Sequence, residues 1–272
     1  MTKELVSIIT VSYNSALTIR DTINSVNEQK YSNIEHIFID GKSSDKTLYL
    51  INKFSKRNPV LVSENDNGIY DAMNKGIKKS RGEFIFILNS DDKFFNNEVV
   101  LKIVSLFSKS KADVVYGGMI VSNRQDFDII KRKWLPTEFK FNSYRNGWHT
   151  PHPGFVVRRK VYDNMKLLFQ TDLLIASDFE IMLRIMENTK NKSVIYPDYV
   201  AVVKDGGASS KIKGIYTGFK NIKKAFERNN IKINFLFYFF RRYFKKIIQK
   251  FKKWNIFWLV DLDLLGNILK VY

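Results

Sequence analysis

Residues 81–92 read RGEFIFILNSDD. Within them, Glu83–Leu88 form a nearly unbroken apolar run that ends abruptly at Asn89-Ser90-Asp91-Asp92. A short Phe- and Ile-rich run closed by turn residues reads as a strand buried on both faces, as in a parallel sheet covered by helices. The flanking sequence extends that pattern. Leu5–Ser12 (LVSIITVS), Ile34–Asp40 (IEHIFID) and Val60–Ser63 read as strands. Between them, helical spacing aligns Ile19, Ile23 and Val26, and then Leu48, Ile51 and Phe54 behind a cap at Ser44 or Asp45. Ile69–Lys79 reads as a helix offering Ala72, Met73, Gly76 and Ile77 for packing, Val99–Phe107 as another, and Ala112–Tyr116 (ADVVY) as a further strand. The alternation predicts an α/β fold with a doubly wound, mostly parallel sheet. From about 120 to 205 the pattern becomes irregular, with a His-Thr-Pro-His-Pro cluster at 149–153 and one helix over Asp178–Glu187.

The chain of 272 residues is 44% hydrophobic and 14% aromatic, with 26% charged residues, which excludes disorder as its main state. It has no cysteine, so disulfide scaffolds, thiolate zinc sites and cysteine nucleophiles are excluded. The opening MTKELVSIITVSYN reads as no signal peptide, and no charge-free apolar stretch is long enough for a conventional spanning helix. The net charge of +18 is uneven: residues 204–272 hold 16 Lys and Arg against 4 Asp and Glu.

In open parallel sheets, ligands sit outside the carboxyl ends of the strands. Asp40 ends the second strand, and Asp91 and Asp92 follow the fourth. A lone strand-terminal aspartate more often closes an Asx turn or caps a helix. Two adjacent carboxylates repel unless a cation or hydrogen-bond donors offset them. A Mg²⁺ or Mn²⁺ ion completed by substrate phosphates is therefore the natural occupant. No GxxxxGK[ST] or GxGxxG follows the first strand, which argues against nucleoside-triphosphatases and dinucleotide oxidoreductases. Asp178 alone reads as a helix N-terminal charge. His149 and His152 read either as part of a proline-stiffened loop or as ligands, without the spacing of a metal pair. Arg158 and Arg159 read either as diphosphate contacts or as solvated charges, one of the two facing solvent on a strand.

VSIITVSYN, HIFIDGKSSDKT, SENDNGIYDAMNKGI and RGEFIFILNSDD, in that order, resemble the N-terminal half of family 2 glycosyltransferases of the GT-A fold. The likeness covers about residues 5–95 and continues more loosely through HPGFVVRRKVY, IASDFEIMLRI and GGAS to about 210. It is nearest to enzymes of bacterial surface-polysaccharide synthesis. The resemblance implies that Thr10, Ser12 and Tyr13 line the nucleotide and that Asp40 bonds its base, usually uracil. Asp66, Asn67 and Gly68 would pass beside the nucleotide, with Asn74 a motif residue of the same segment. Asp91 and Asp92 would form the DxD-like element, one at the ribose and one, Asp92 in preference, on Mn²⁺ or Mg²⁺; Asn89 departs from the commoner Asp-x-Asp-Asp. Asp178 would be the general base of an inverting transfer, with Glu180 as its fallback. His149, His152 and Arg158 would border the donor sugar and acceptor, while 206–209, with Lys204 and Lys211, would form a loop closing on the diphosphate.

The implied organisation is a GT-A unit over 1–210, with a nucleotide half at 1–117 and an acceptor half at 118–210. A basic amphipathic helical region follows over 211–272. Within Ile233–Lys253, Phe240, Phe244, Ile247, Ile248 and Phe251 share one face, and Arg242, Lys245, Lys246, Gln249 and Lys253 the other. That composition reads either as the solvated face of an ordinary core helix or, the reading preferred, as a helix lying in an anionic membrane surface, with 256–260 (IFWLV) dipping deeper. The expected partners are a nucleotide-sugar donor, a glycan or polyprenyl-diphosphate-linked acceptor, and the membrane, not nucleic acid. The expected location is the cytoplasmic face of the cell membrane. A nucleotidyltransferase needs a Gly-rich basic loop that Val11–Ser15 lacks. A non-enzymatic membrane- or nucleic-acid-binding protein predicts no nucleotide-sugar binding, and glycosidase carboxylates flank a sugar rather than adjoin each other.

Overall fold

The computed structural model describes residues 4–165, 168–188, 190–206 and 212–242. One nine-stranded sheet runs through them in the order β3-β2-β1-β4-β8-β6-β9-β5, with β7 paired to β6. Its first half is the parallel set that the sequence predicts. β1 (Val6–Ser12) lies between β2 (Ile34–Asp40) and β4 (Phe84–Ile87), and β3 (Val60–Ser63) lies outside β2. β1, β2 and β4 are buried along their whole length. The helices that cover them are amphipathic. α1 (Ile19–Asn27) buries Ile19, Thr22, Ile23 and Val26, and α2 spans Thr47–Phe54 behind Asp45, whose carboxylate accepts the Thr47 N–H at 2.9 Å. α3 (Ile69–Lys79) has the predicted bounds and lies so close to β1 that a Cβ on Gly76 would meet Ile9 Cγ2 at 2.4 Å.

The second half departs from simple alternation. After β5 (Lys93–Phe94) and α4 (Val99–Ser110), the strand expected at 112–116 becomes the longer β6 (Val114–Ser122). It does not pair with β4. β8 (Phe155–Arg158) is inserted between them, antiparallel to both. β9 (Ser193–Lys204) then runs parallel to β6 and antiparallel to β5. The strands of this region were hard to read for physical reasons. Pro197 and Asp198 fall where the pairing of β9 with β6 shifts register, and β7 (Ile130–Trp134, IKRKW) is a basic strand that, among the described residues, pairs with β6 alone.

Among the described residues there are three hydrophobic clusters, the smallest of them Ile19 and Ile23 of α1 and Ile51 of α2 on Phe38 of β2; the other two are larger. One holds Val6, Ile8, Phe84, Phe86, Val100, Ile103 and Phe107; the other joins β1, β2 and α3 to α6 (Ser177–Met186) and the aromatic residues around Tyr144. α5 (Arg159–Asp163) links β8 to the segment before α6. Several of the described residues beyond 211 belong to the second cluster. Ala225 and Phe226 of α7 (Ile212–Arg228), and Tyr238 in the helical turns from 235, are buried, with the Phe226 ring 5.5 Å from Phe179.

In this region the expected place of Arg242 is corrected: set on an outward basic face, it has its guanidinium 5.2 Å over the Phe179 ring and donates to Tyr238 Oη at 2.6 Å. Leu236 and Phe240 are 83% and 70% exposed. The rest of the predicted faces, to Lys253, and the IFWLV segment lie outside the described residues.

Candidate active site

The parallel register builds the centre of the site. Ser12, Asp40 and Ser63 pair across β1, β2 and β3, forming one row at the carboxyl edge. Asp40 is fully buried and accepts four hydrogen bonds. Ser12 Oγ (2.9 Å) and Ser43 Oγ (2.5 Å) donate to Oδ1, while Ser43 N (2.8 Å) and Ser63 Oγ (2.9 Å) donate to Oδ2. Asp40 thus fixes the 41–44 turn before any ligand arrives.

Thr10 is one pleat deeper and is itself fully buried, so the expectation that it lines the nucleotide is corrected. Its Oγ1 lies 2.9 Å from His36 Nε2. Burial pushes that histidine down to about 3 and keeps it neutral.

Tyr13, 67% exposed, stands at the mouth. Gly41 sits between Tyr13 and Asp66; a Cβ there would fall 2.6 Å from Asp66 Oδ2 and 3.3 Å from Tyr13 Cδ2. Asp66 Oδ1 accepts the Gly68 N–H at 2.9 Å, and Gly68 holds φ +103°, a conformation that favours glycine. Asn67 N donates to Asp71 Oδ2 at 3.0 Å. The Asp66–Gly68 segment therefore forms a wall beside the Ser12–Asp40–Ser63 row and opens α3.

Asn74, expected beside the nucleotide, faces elsewhere. Its amide spans the Phe169 backbone, donating to the carbonyl and accepting the N–H, both at 2.9 Å. It is a strut between α3 and the chain before α6.

Beyond β4, Thr22 of α1 pins the acidic turn by donating Oγ1 to the carbonyls of Asp92 (2.6 Å) and Asn89 (3.3 Å). Ser90 Oγ meets Ser15 Oγ at 2.8 Å. Asp91 points to solvent, whereas Asp92 is only 4% exposed. Burial, and then the Asp91 charge, push the Asp92 carboxyl well above the usual carboxylate range, opposed by hydrogen bonds from Asn89 and the charge of Lys204. Among the described residues, Asn89 Oδ1 is buried without a hydrogen-bond partner. Lys204, at the end of β9, lies 3.7 Å from Asp21 Oδ2.

The donors of this turn are hard oxygens, and a carboxylate that resists ionisation gains from a nearby cation. Among the described residues no group of three His, Cys, Asp or Glu side chains is arranged to hold an ion. Asp92, with Asp91 and Asn89 Oδ1, offers hard-oxygen donors of the kind that would suit Mg²⁺ or Mn²⁺.

At the start of α6, Asp178 is half-buried. Its Oδ1 accepts from Tyr70 Oη at 3.2 Å and from Phe179 N at 2.8 Å. His152 is close enough for the Asp178 charge to oppose the burial that pushes the imidazole down, and its ring lies 5.7 Å from Phe169. His149 packs 4.6 Å from the Trp134 ring.

Two further expectations are corrected. Glu180 is fully buried, and its carboxylate is taken by Arg184 (2.9 and 3.0 Å) and Asn229 (3.0 Å). Two residues along a helix is about 200° around its axis, which turns Glu180 away from Asp178. Arg158 pairs with Phe84, the first residue of β4, at the end of the sheet opposite Asp91 and Asp92. Its guanidinium bonds Glu83 Oε1 at 2.5 Å and lies 5.0 Å over Phe84. Arg159 is at the same end, 3.4 Å from Asp163. Residues 207–209 of the GGAS loop and Lys211 lie outside the described residues. Sequence reasoning missed Ser43, Ser63, Thr22 and Tyr70. The first three are polar residues next to strand ends or on a buried helix face; Tyr70 is quoted within its motif without a role.

The sequence profile described as "Glycosyl transferase family 2" matches residues 7–165. The chain belongs to that family. Among its relatives, the Escherichia coli UDP-Glc:alpha-D-GlcNAc-diphosphoundecaprenol beta-1,3-glucosyltransferase WfgD is 34% identical over 139 residues, 51% of this chain and 54% of its own length. An uncharacterised glycosyltransferase of Mycobacterium tuberculosis is 38% identical over 104 residues, 38% of this chain and 40% of its own. The chain thus spans about half the length of the curated relatives it matches. In fold, this family 2 chain is similar to Staphylococcus aureus TarS 1-349 in complex with UDP-GlcNAc (TM-score 0.69, 20% identity, 92% of this chain and 73% of that one). It is also similar to the Pyrobaculum calidifontis mannosyltransferase PcManGT in complex with GDP-Man and Mn²⁺ (TM-score 0.60, 17% identity, 84% and 65%). The GT-A fold expected from the motifs is the fold observed, its mixed sheet carrying helices on both sides.

Proposed function

We propose that this chain is an inverting glycosyltransferase that moves a sugar from a nucleotide diphosphate, a UDP-sugar, to a hydroxyl of a lipid-linked or growing glycan. The observation that carries the reading is the division of labour between two carboxylates at the carboxyl edge. Asp92 is buried and held up, whereas Asp178 has one oxygen fixed by donors. Ser12, Tyr13, Asp40 and the Asp66–Gly68 wall bound the nucleotide. Asp178 takes the proton of the acceptor hydroxyl as that oxygen attacks the anomeric carbon. The bond from that carbon to the diphosphate breaks, and its electron pair leaves with the nucleotide. A Mn²⁺ or Mg²⁺ ion, when bound, supplies the positive charge that stabilises the departing diphosphate. The names of WfgD and of the TarS complex, which give UDP-linked sugars for those proteins, support the donor class.

The test is calorimetric titration with UDP in Mn²⁺, followed by a UDP-release assay over a panel of UDP-sugars. Saturable UDP binding and cleavage of at least one donor are expected. Absence of binding to UDP and to other nucleoside diphosphates overturns the reading.

We place the enzyme at the inner face of the cell membrane. Leu236 and Phe240 are exposed beside Arg241, in the quarter of the chain that holds most of the net positive charge. Each Lys or Arg near an anionic leaflet contributes about 1 kcal/mol. Among the described residues, no helix is long and apolar enough to cross a membrane. The full chain should cosediment with phosphatidylglycerol vesicles but not with phosphatidylcholine vesicles. Leu236→Ser with Phe240→Ser should reduce that binding, and equal recovery on both vesicle types counts against the placement.

A further inference from the structure

α6 begins without a side-chain cap of its own, because its N-cap position is Ala176. The unpaired N–H groups of a helix's first turn call for an acceptor. Here a residue of another helix reaches them. The Tyr70 hydroxyl, from the first turn of α3, faces the backbone amides of Ser177 and Asp178 and donates its own proton to Asp178 Oδ1 at 3.2 Å. Tyr70 is 8% exposed, and burial and the Asp178 charge together raise its hydroxyl far above the ordinary range. It therefore remains an O–H donor at any working pH.

Its position is over-determined. Gly68, held by Asp66, starts α3 two residues earlier; the ring stacks on Phe169 at 5.7 Å and 14°; and Asn74, one turn on, grips the Phe169 backbone from both sides. Phe169 also meets His152, so the tyrosine is braced from the side of the 152–154 turn. Together with the Phe179 N–H, Tyr70 occupies Oδ1, while Oδ2 has no hydrogen-bond partner among the described residues.

We propose that Tyr70 is a positioning residue. It locks the Asp178 carboxylate by Oδ1 and leaves Oδ2 as the atom that takes the acceptor's proton. The inference rests on the reading of Asp178 as the base. It adds that the segment walling the nucleotide also sets the base, through three consecutive residues, Gly68 to Tyr70.

The test uses the full chain in Mn²⁺, with UDP release from UDP-glucose and UDP-N-acetylglucosamine as the assay. Tyr70→Phe keeps the ring and removes the donor. It should lower kcat by about 10- to 100-fold, leave the donor KM within about twofold, and move the acid limb of the kcat profile to higher pH, because the ionised carboxylate has lost a hydrogen bond. A purely packing role would change thermal stability without moving that limb. As a second probe, 3-fluorotyrosine introduced at position 70 retains the hydroxyl as a stronger donor and should move the limb the other way. Its ¹⁹F resonance should also show an acid titration that disappears in Asp178→Asn, a readout independent of turnover. An unmoved acid limb in Tyr70→Phe, or a ¹⁹F signal indifferent to Asp178→Asn, overturns the positioning role. If Asp178→Asn is inactive and Tyr70→Phe titrates like the parent, positioning alone falls. If Asp178→Asn turns over at the parent rate, the base reading falls and positioning falls with it.

Discussion

Asp178→Asn should reduce sugar transfer by about 10²- to 10⁴-fold, the range typical for removal of a general base, while UDP affinity in calorimetry stays within about twofold. The substitution is nearly isosteric, and the amide oxygen still accepts from Tyr70 and from Phe179 N, which now bond Oδ1 at 3.2 and 2.8 Å. What it removes is the ability to take a proton. Nucleotide binding is built elsewhere, from the Ser12–Asp40–Ser63 row and the Asp66–Gly68 wall, so binding and turnover separate. Glu180→Gln provides the control. That carboxylate is closed off by Arg184 and Asn229, so its loss should lower stability and leave the pH profile of transfer unaltered. Asp178→Asn with at least a third of parental turnover would remove Asp178 from the chemistry.

Asp92→Asn should have effects of opposite sign on activity and stability. Transfer in Mn²⁺ should fall by about 10³-fold or more, comparable to the loss of several kcal/mol of charge stabilisation at a leaving group. In chelator, however, the variant should melt at or above the parent. The folded chain holds the Asp92 proton more tightly than an unfolded chain with its carboxyl near 3.8. Stability from this group is therefore complete in acid. It declines as pH rises from the unfolded value toward the raised one, where ionisation must occur in a buried site. Asparagine at 92 has no proton to lose and escapes that cost. Mn²⁺ should raise the melting temperature of the parent and not of the variant. A variant that melts well below the parent in chelator would show that the Asp92 carboxylate stabilises the turn by itself, and full transfer in excess chelator would remove the ion from the reaction.

The parallel half of the fold was legible because three of its four strands, β1, β2 and β4, are buried on both faces, as EFIFIL shows at a glance. The acidic turn and the helix of Asp178 followed from motif order. Other assignments required the third dimension. Arg158 lies among motif-like residues, but the antiparallel course of β8 carries it to the wrong end of the sheet. Glu180 is an acid next to the proposed base, yet helical geometry points it into a buried ion pair with Arg184. Thr10 reads as the neighbour of Ser12, although only the last residues of a fully covered strand reach the edge. Tyr70 was missed because a tyrosine on an apolar helix face reads as core, and its hydroxyl acquires meaning only when α6 begins within 3.2 Å of it.

The insertion of β8 between β4 and β6 also bears on how the chain is made. β4 is complete at residue 87, but its second edge is covered only by Val157 and Arg158, about seventy residues later. Throughout that stretch of synthesis, Phe84–Ile87 presents one bare, strongly apolar edge, the kind of surface that recruits other chains. The protein is thus committed to a late closing step, and anything that delays delivery of Phe155–Arg158 prolongs the interval in which the half-sheet is vulnerable. Arg158, useless to a nucleotide where it sits, is the residue that ends that interval: its backbone pairs with Phe84, and its charge seals the strand against Glu83.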